Sequence, residues 1–254
     1  MSADTKIEYL SKTWNPVAMR CTRVSPGCDH CWHLSMAARH AGCNQLAEPL
    51  RRARAGGTPW LNEQELQAPL RWRKPQRVGV QFMGDLFHSD VQECFIDRVF
   101  AVMALCPQHT FLVLTKRPER MRQYLSDSAY RAERVGIDAE HLSGTDRHIN
   151  DERARWPFPL PNVWMGTSVE NQDVADKRIP HLLQTNAAKR WVSVEPMLGP
   201  VDLTSVRWSK IAVNPEDFRR VGAPVPYQAW SLNNVLKSRP ANDLNQAKIG
   251  RAHV

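Results

Sequence analysis

Residues 110–118, Thr110-Phe-Leu-Val-Leu-Thr115-Lys-Arg-Pro118, decide how this chain is read. Five β-favouring residues run without a polar break, so the strand is buried on both faces, as in a parallel sheet. Two cations follow, and Pro118 is suited to the first turn of a helix. A strand feeding directly into a helix is half of a βαβ unit. The same grammar recurs on both sides. Residues 78–82 (VGVQF) read as a strand ending at Gly84-Asp85, and 91–105 (VQECFIDRVFAVMAL) carries Val91, Phe95, Val99, Val102 and Leu105 at helical spacing. Residues 162–166 (NVWMG) form a further strand, followed by Ser168, Glu170 and a helix to about Leu183. Residues 190–194 (RWVSV) form another, ending at Glu195-Pro196. Lys6 to Leu10 is expected as a short first strand, leading into a cysteine loop and a helix over about 29–41.

Repeated strand–helix units predict an α/β fold, a partial parallel (β/α) barrel of TIM-like kind that is incomplete at its C-terminus. Residues 1–208 form the barrel domain. An insertion at about 126–156 is charged and weakly periodic, and is expected to be mobile with at most a short helix. From about 209 the alternation fails. The last seven residues, Lys248 to Val254, resemble the translated read-through of a sequencing adapter, so 209–254 is expected to be a truncated or artefactual tail.

In a parallel sheet, chemistry gathers at the carboxyl ends of the strands. Asp85 and His88, Thr115 to Arg117, Ser168 and Glu170, and Glu195 fall there in turn. Each also has a plainer use as a cap, a salt-bridge partner or a hydrogen-bonded loop residue. Lys116 and Arg117 suit a phosphate or carboxylate; His88 suits proton transfer or substrate contact.

The chain has 254 residues and a formal net charge of +8, which favours polyanionic partners. Arg51, Arg52 and Arg54, then Arg71, Arg73, Lys74 and Arg77 with Trp72 among them, form basic clusters that suit either nucleic acid or a solvated face. No apolar leader or bilayer-length run is present in these residues, so a cytoplasmic protein without a membrane partner is expected. Thiols stay reduced in that compartment. Cys21, Cys28 and Cys31, in the run CTRVSPGCDHCW, therefore read as metal ligands, with Pro26-Gly27 turning the loop between them. Three soft donors in so short a window suit zinc or an iron–sulfur cluster. Structural zinc needs a fourth ligand, for which Cys43 is the best candidate, ahead of His30, His33 and His40. Cys94 and Cys106, alone in apolar sequence, are expected to be buried and inert.

Three cysteines that leave one iron of a [4Fe–4S] cluster open, on a loop after the first strand of a barrel, resemble the radical S-adenosylmethionine enzymes. The spacing here is C-x6-C-x2-C rather than their usual C-x3-C-x2-C, and His30 stands where an aromatic residue is common. A broader resemblance rests on TWNPV (13–17), SPGCDHCW (25–32), APLRWRKPQRV (68–78), GDLFH (84–88), FIDRVFAVMALCPQHTF (95–111), VLTKRPERM (113–121), NVWMGTSVEN (162–171), RIPHLL (178–183) and VSVEPMLGPVDL (192–203). Together they resemble the phage gp-thirty-seven/gp-sixty-eight family. Members of that family normally continue with a further strand and a glycine-rich segment. The combined resemblance implies a phage-associated, radical S-adenosylmethionine-like enzyme acting on nucleic acid or nucleotides with an external reductant. A zinc-binding, nucleic-acid-binding protein without catalysis is the alternative. On the enzymatic reading, Cys21, Cys28 and Cys31 hold the cluster. Lys116, Ser168 and Glu170 bind S-adenosylmethionine, with Glu170 or Glu195 at its ribose hydroxyls. Asp85, His88 and Glu195 are the candidate catalytic groups. Trp14, Asn15 and Pro16 shape the approach to the loop.

Overall fold

The computed structural model describes residues 3–29, 31–144, 156–204 and 206. The expected tail from 209 and the candidate ligand His30 lie outside them.

Eight strands are described: β1 (Ala3–Asp4), β2 (Lys12–Trp14), β3 (Val17–Ala18), β4 (Trp60–Leu61), β5 (Arg77–Val80), β6 (Thr110–Thr115), β7 (Val163–Ser168) and β8 (Lys189–Ser193). The helices are α1 (Trp32–Ala41), α2 (Glu48–Ala55), α3 (Glu63–Leu66), α4 (Glu93–Leu105), α5 (Pro118–Tyr124), α6 (Ser128–Ser143) and α7 (Gln172–Gln184). One sheet has the order β1-β2-β5-β6-β7-β8, and β3 pairs with β4 in a separate ribbon. Strands β2, β5, β6, β7 and β8 are mutually parallel, while β1 joins β2 antiparallel. The fold is thus α/β, with a five-strand parallel sheet flanked by helices. The sheet is open among the described residues.

Each parallel strand lies beside the next one in the chain. Right-handed crossovers in one constant direction place the connecting helices on a single face. The burial pattern agrees with this. Val78, Val80, Phe111, Val113, Val163 and Met165 pack with Ile96, Val99, Phe100 and Met103 of α4 and with Met121 of α5 in the main core. The opposite face carries a smaller cluster of Leu10, Leu112 and Trp191, with Tyr9, Phe82, Leu114 and Trp164 partly buried around it. Gly166 makes this second face possible: a Cβ there would lie 2.4 Å from the Trp191 ring, its register partner on β8.

Three expectations need correction. The first parallel strand is Lys12–Trp14, not Lys6–Leu10. Leu10 instead closes a turn onto Ile7 (N–H to carbonyl, 2.9 Å), which sends Leu10 and Tyr9 to the Trp191 cluster. The charged 126–156 segment contains the 16-residue helix α6, packed along α4 with Val135 and Ala139 buried. Its charge is part of the packing. Arg131 is 7% exposed, bonds Asp97 and Glu93, and lies over the Tyr124 ring at 4.0 Å. Cys106 is buried as expected, but Cys94 is exposed on α4.

Candidate functional site at the carboxyl ends of the strands

The chain leaves β5 through Gln81, at φ 57°, and Gly84, at φ 130°. These left-handed residues turn it sharply enough for Asp85 to point back across the strand ends. Asp85 is 3% exposed and accepts four hydrogen bonds: from Thr115 Oγ1 (2.7 Å), Arg117 Nη1 (2.9 Å), Phe87 N (3.0 Å) and Lys116 N (3.1 Å). It therefore joins the ends of β5 and β6 through charge-assisted bonds.

Glu170, just beyond β7, is fully buried. Its Oε1 accepts from Lys116 Nζ, from Ser25 Oγ of the cysteine loop (2.8 Å) and from Arg178 Nη1 of α7 (3.4 Å). Burial alone would raise its carboxyl, but Lys116, Ser25 and Arg178 outweigh it and hold the group ionised below its ordinary value. Oε2 of the same carboxylate is buried with no hydrogen-bond partner among the described residues. Arg178 also donates to the Ser168 carbonyl at 2.9 Å, so Ser168 takes part through its backbone.

The cysteine loop lies over these groups. Arg117 donates to Thr22 Oγ1 (2.8 Å) and to the Thr22 carbonyl (3.1 Å), and its Nη1 stands 3.6 Å from Cys21 Sγ. His88 is 1% exposed. Its Nδ1 accepts from Asp90 N (3.2 Å), which leaves the proton on Nε2 to bond Thr22 Oγ1 (2.8 Å). Burial, assisted by Arg117, holds this imidazole neutral. Pro26–Cys28 forms a 3₁₀ turn, and Gly27 sits so close to Glu170 that a Cβ would meet its Cδ at 2.6 Å.

The two inner thiols differ. Burial and the Asp85 charge push Cys21 up, against the pull of Arg117. Burial also acts to raise Cys28, but backbone N–H groups of the loop, Lys116 and Ser25 bring it below its ordinary value. Cys21 and Cys28 feel one another electrostatically, while Cys31 is the residue from which α1 begins. Among the described residues, no three His, Cys, Asp or Glu side chains are gathered as a metal-holding group. Cys43 is half-buried beyond α1, and His33 is buried on α1.

Of the residues expected at the site, Cys21, Cys28, Asp85, His88, Lys116 and Glu170 converge. Glu195 does not join them: it is exposed, with Ser193 Oγ 3.4 Å from its Oε2. Thr115 and Arg117, expected at the same strand end as Lys116, join the converging set, and Thr22, Ser25 and Arg178 are additional members. Arg178 carries no local signal, because the residues it bonds stand eight and ten positions earlier, on the far side of a loop. Asn15 and Trp14 brace the approach, through Met83 N to Asn15 Oδ1 (2.7 Å) and Trp14 Nε1 to the Glu65 carbonyl (2.8 Å).

Beside this network lies a cleft of about 540 Å³ between the 87–93 loop, α5 and α7. The basic clusters at 51–77 are elsewhere and are partly committed. Arg54 is buried against His40, and Arg71 bonds the Gln64 carbonyl at 3.2 Å.

These features define an α/β protein whose N-terminal cysteine loop is hydrogen-bonded, through Thr22 and Ser25, to ion-paired residues at the carboxyl ends of a parallel sheet. The chain belongs to the family described as "Protein of unknown function (DUF5131)", whose profile matches residues 4–214. No curated protein and no solved structure matches it. No helix among the described residues is long and apolar enough to cross a membrane.

Proposed function

We propose that this chain is a radical S-adenosylmethionine-like enzyme of the phage gp-thirty-seven/gp-sixty-eight type, built on part of a TIM-like barrel and acting on a nucleotide or nucleic acid. Cys21, Cys28 and Cys31 are the residues that would hold a [4Fe–4S] cluster. The observation that carries the reading is the position of Cys21 and Cys28, over the carboxyl ends of parallel strands and against Arg117 and Lys116. That donor set suits the group: soft sulfur ligands with cations beside them to offset thiolate charge. When bound, a cluster with one iron free of protein sulfur supplies an electron for reductive cleavage of a sulfonium cofactor.

The chain's own residues prepare the site. Glu170 is kept ionised by Lys116, Ser25 and Arg178, and its second oxygen remains open for a donor. Asp85 and Arg117 lock one another and present Thr22. His88, neutral with its proton on Nε2, holds the loop down at Thr22.

Anaerobic reconstitution with iron and sulfide tests the reading. A brown protein that loses both iron and sulfide in Cys28→Ser, but keeps them in Cys43→Ser, is the expected result. A colourless protein with one tightly bound zinc that depends on Cys43 would replace this proposal with the non-catalytic alternative.

A further inference from the structure

The cleft between α5 and α7 is distinct from the cysteine loop and has its own chemistry. Its upper wall is formed by Lys116, Arg117 and Arg178, whose charges are taken up by Glu170 and Asp85. Arg120 of α5 and Lys177 and His181 of α7 line the same cleft. Arg120 bonds the Val91 carbonyl through Nη2 (2.6 Å), while its Nη1 is buried without a hydrogen-bond partner. His181 Nδ1 is also buried without one. Lys177, one turn before His181 on α7, has no ion-pair partner among the described residues. Two carboxylates share the walls. Glu93 is bound to Arg131 at 2.5 Å, and Glu119 is exposed at the rim near His181.

Buried N–H donors without acceptors cost free energy unless something supplies the acceptor. Here such a donor on Arg120 and an unpartnered ring nitrogen on His181, which donates when it carries the imidazole proton, belong to residues of two helices that line one cleft together with the exposed Lys177. An anion with several oxygens satisfies all three groups at once, and phosphate is the commonest anion of that kind. Phe87, Pro118 and Tyr124 supply apolar wall beside them. A volume of about 540 Å³ holds more than an inorganic ion and lies within the usual range for small-molecule sites.

We propose that this cleft binds a phosphate-bearing small molecule of nucleotide size, its phosphate held by Arg120, Lys177 and His181. The inference deepens the nucleotide part of the proposed function but needs no cluster.

Calorimetric titration of the purified full chain with adenosine monophosphate, inorganic phosphate and adenosine tests it. The phosphate-bearing probes are expected to bind and adenosine is not. Lys177→Glu and His181→Asn should each weaken adenosine monophosphate binding about tenfold or more, with thermal midpoints near that of the parent. Lys74→Glu, in a basic stretch away from the cleft, should leave it unchanged. Equal binding by Lys177→Glu and the parent would overturn the proposal. So would no binding of either phosphate probe at millimolar concentration, or binding of an RNA oligonucleotide alone. Cys28→Ser separates the two readings, since it should abolish cluster assembly while leaving phosphate binding intact.

Discussion

At the amino end of the parallel sheet the hydrogen bonds that tie the parallel strands and their loops run between neutral groups. Asn162 Nδ2 donates toward three carbonyls, those of Met103 (2.9 Å), Cys106 (3.1 Å) and His109 (3.2 Å). His109 Nδ1 accepts from Gln76 N, and Ser11 exchanges bonds with Arg77. At the carboxyl end of the same strands the joints are ionic: Asp85 with Arg117, and Glu170 with Lys116 and Arg178. Both ends are closed, but only one is closed by groups that can also attract a ligand or stabilise a thiolate. The contrast separates the part of the molecule built to persist from the part built to bind.

Removing one partner of a buried ion pair should show the largest effect. Asp85→Ala strands Arg117 and leaves Thr115 and two backbone N–H groups without their acceptor, so a loss of about 3–5 kcal/mol is expected in urea denaturation. A loss below about 1 kcal/mol would erase the distinction between the two ends.

Acid should then act in two stages. His33, 3% exposed, is pushed down to about 4 by burial and by Arg54, and His88 and His109 are lowered by burial. The unfolded chain binds protons at these positions first, so stability falls as pH drops below the ordinary histidine value of about 6.5. His33 alone contributes on the order of 3 kcal/mol by pH 4. Glu170 is depressed, so its contribution is present above the ordinary carboxylate range and lost below it. Histidine losses affect both ends of the sheet, whereas the later carboxylate loss affects only the ionic end. Denaturation midpoints at pH 7, 5 and 3.5 resolve the stages, and His33→Leu should flatten the first.

Asn162→Ala should cost about 2 kcal/mol, because it withdraws a donor from buried carbonyls. Asn162→Asp, which keeps the shape without the N–H groups, should cost at least as much. Neither should alter the iron taken up on the reconstitution proposed above, and a parallel loss of uptake would show that the ends are coupled. Gly27→Ala should be the mildest for stability, under about 1 kcal/mol, since the loop can rise away from Glu170. On the proposed reading, iron uptake on reconstitution should nevertheless drop, as measured by bound iron per chain.

Much of the ionic end is legible from sequence, because each strand carries its polar group immediately after its apolar run. Asp85, Lys116 and Glu170 all obey that rule. Glu195 obeys it too and is exposed, which shows that being at a strand end does not itself turn a side chain inward. The first strand is harder to read. Lys6 to Leu10 looks like strand, but Ile7, Tyr9 and Leu10 are pinned by packing on Trp191, a contact nearly two hundred residues away. Helix α6 is concealed by Arg131, a charged residue that occupies a core position by stacking on Tyr124. Arg178 is missed for a related reason, since its partners are a backbone carbonyl and a carboxylate across a loop.

Gln81 holds the route between these two worlds. Its side chain accepts from Val17 N (3.0 Å) and donates to the Val17 carbonyl (2.7 Å), imitating a neighbouring strand's peptide group. Its own N–H is bonded to the Trp14 carbonyl. Such a clamp tolerates no slip: displacement by one residue would carry Cys21 about 3.3 Å along the chain path, roughly the reach of one hydrogen bond. A single amide thereby sets the aim of the sulfur loop, and a glutamate in its place, lacking the donor, would leave that aim adrift.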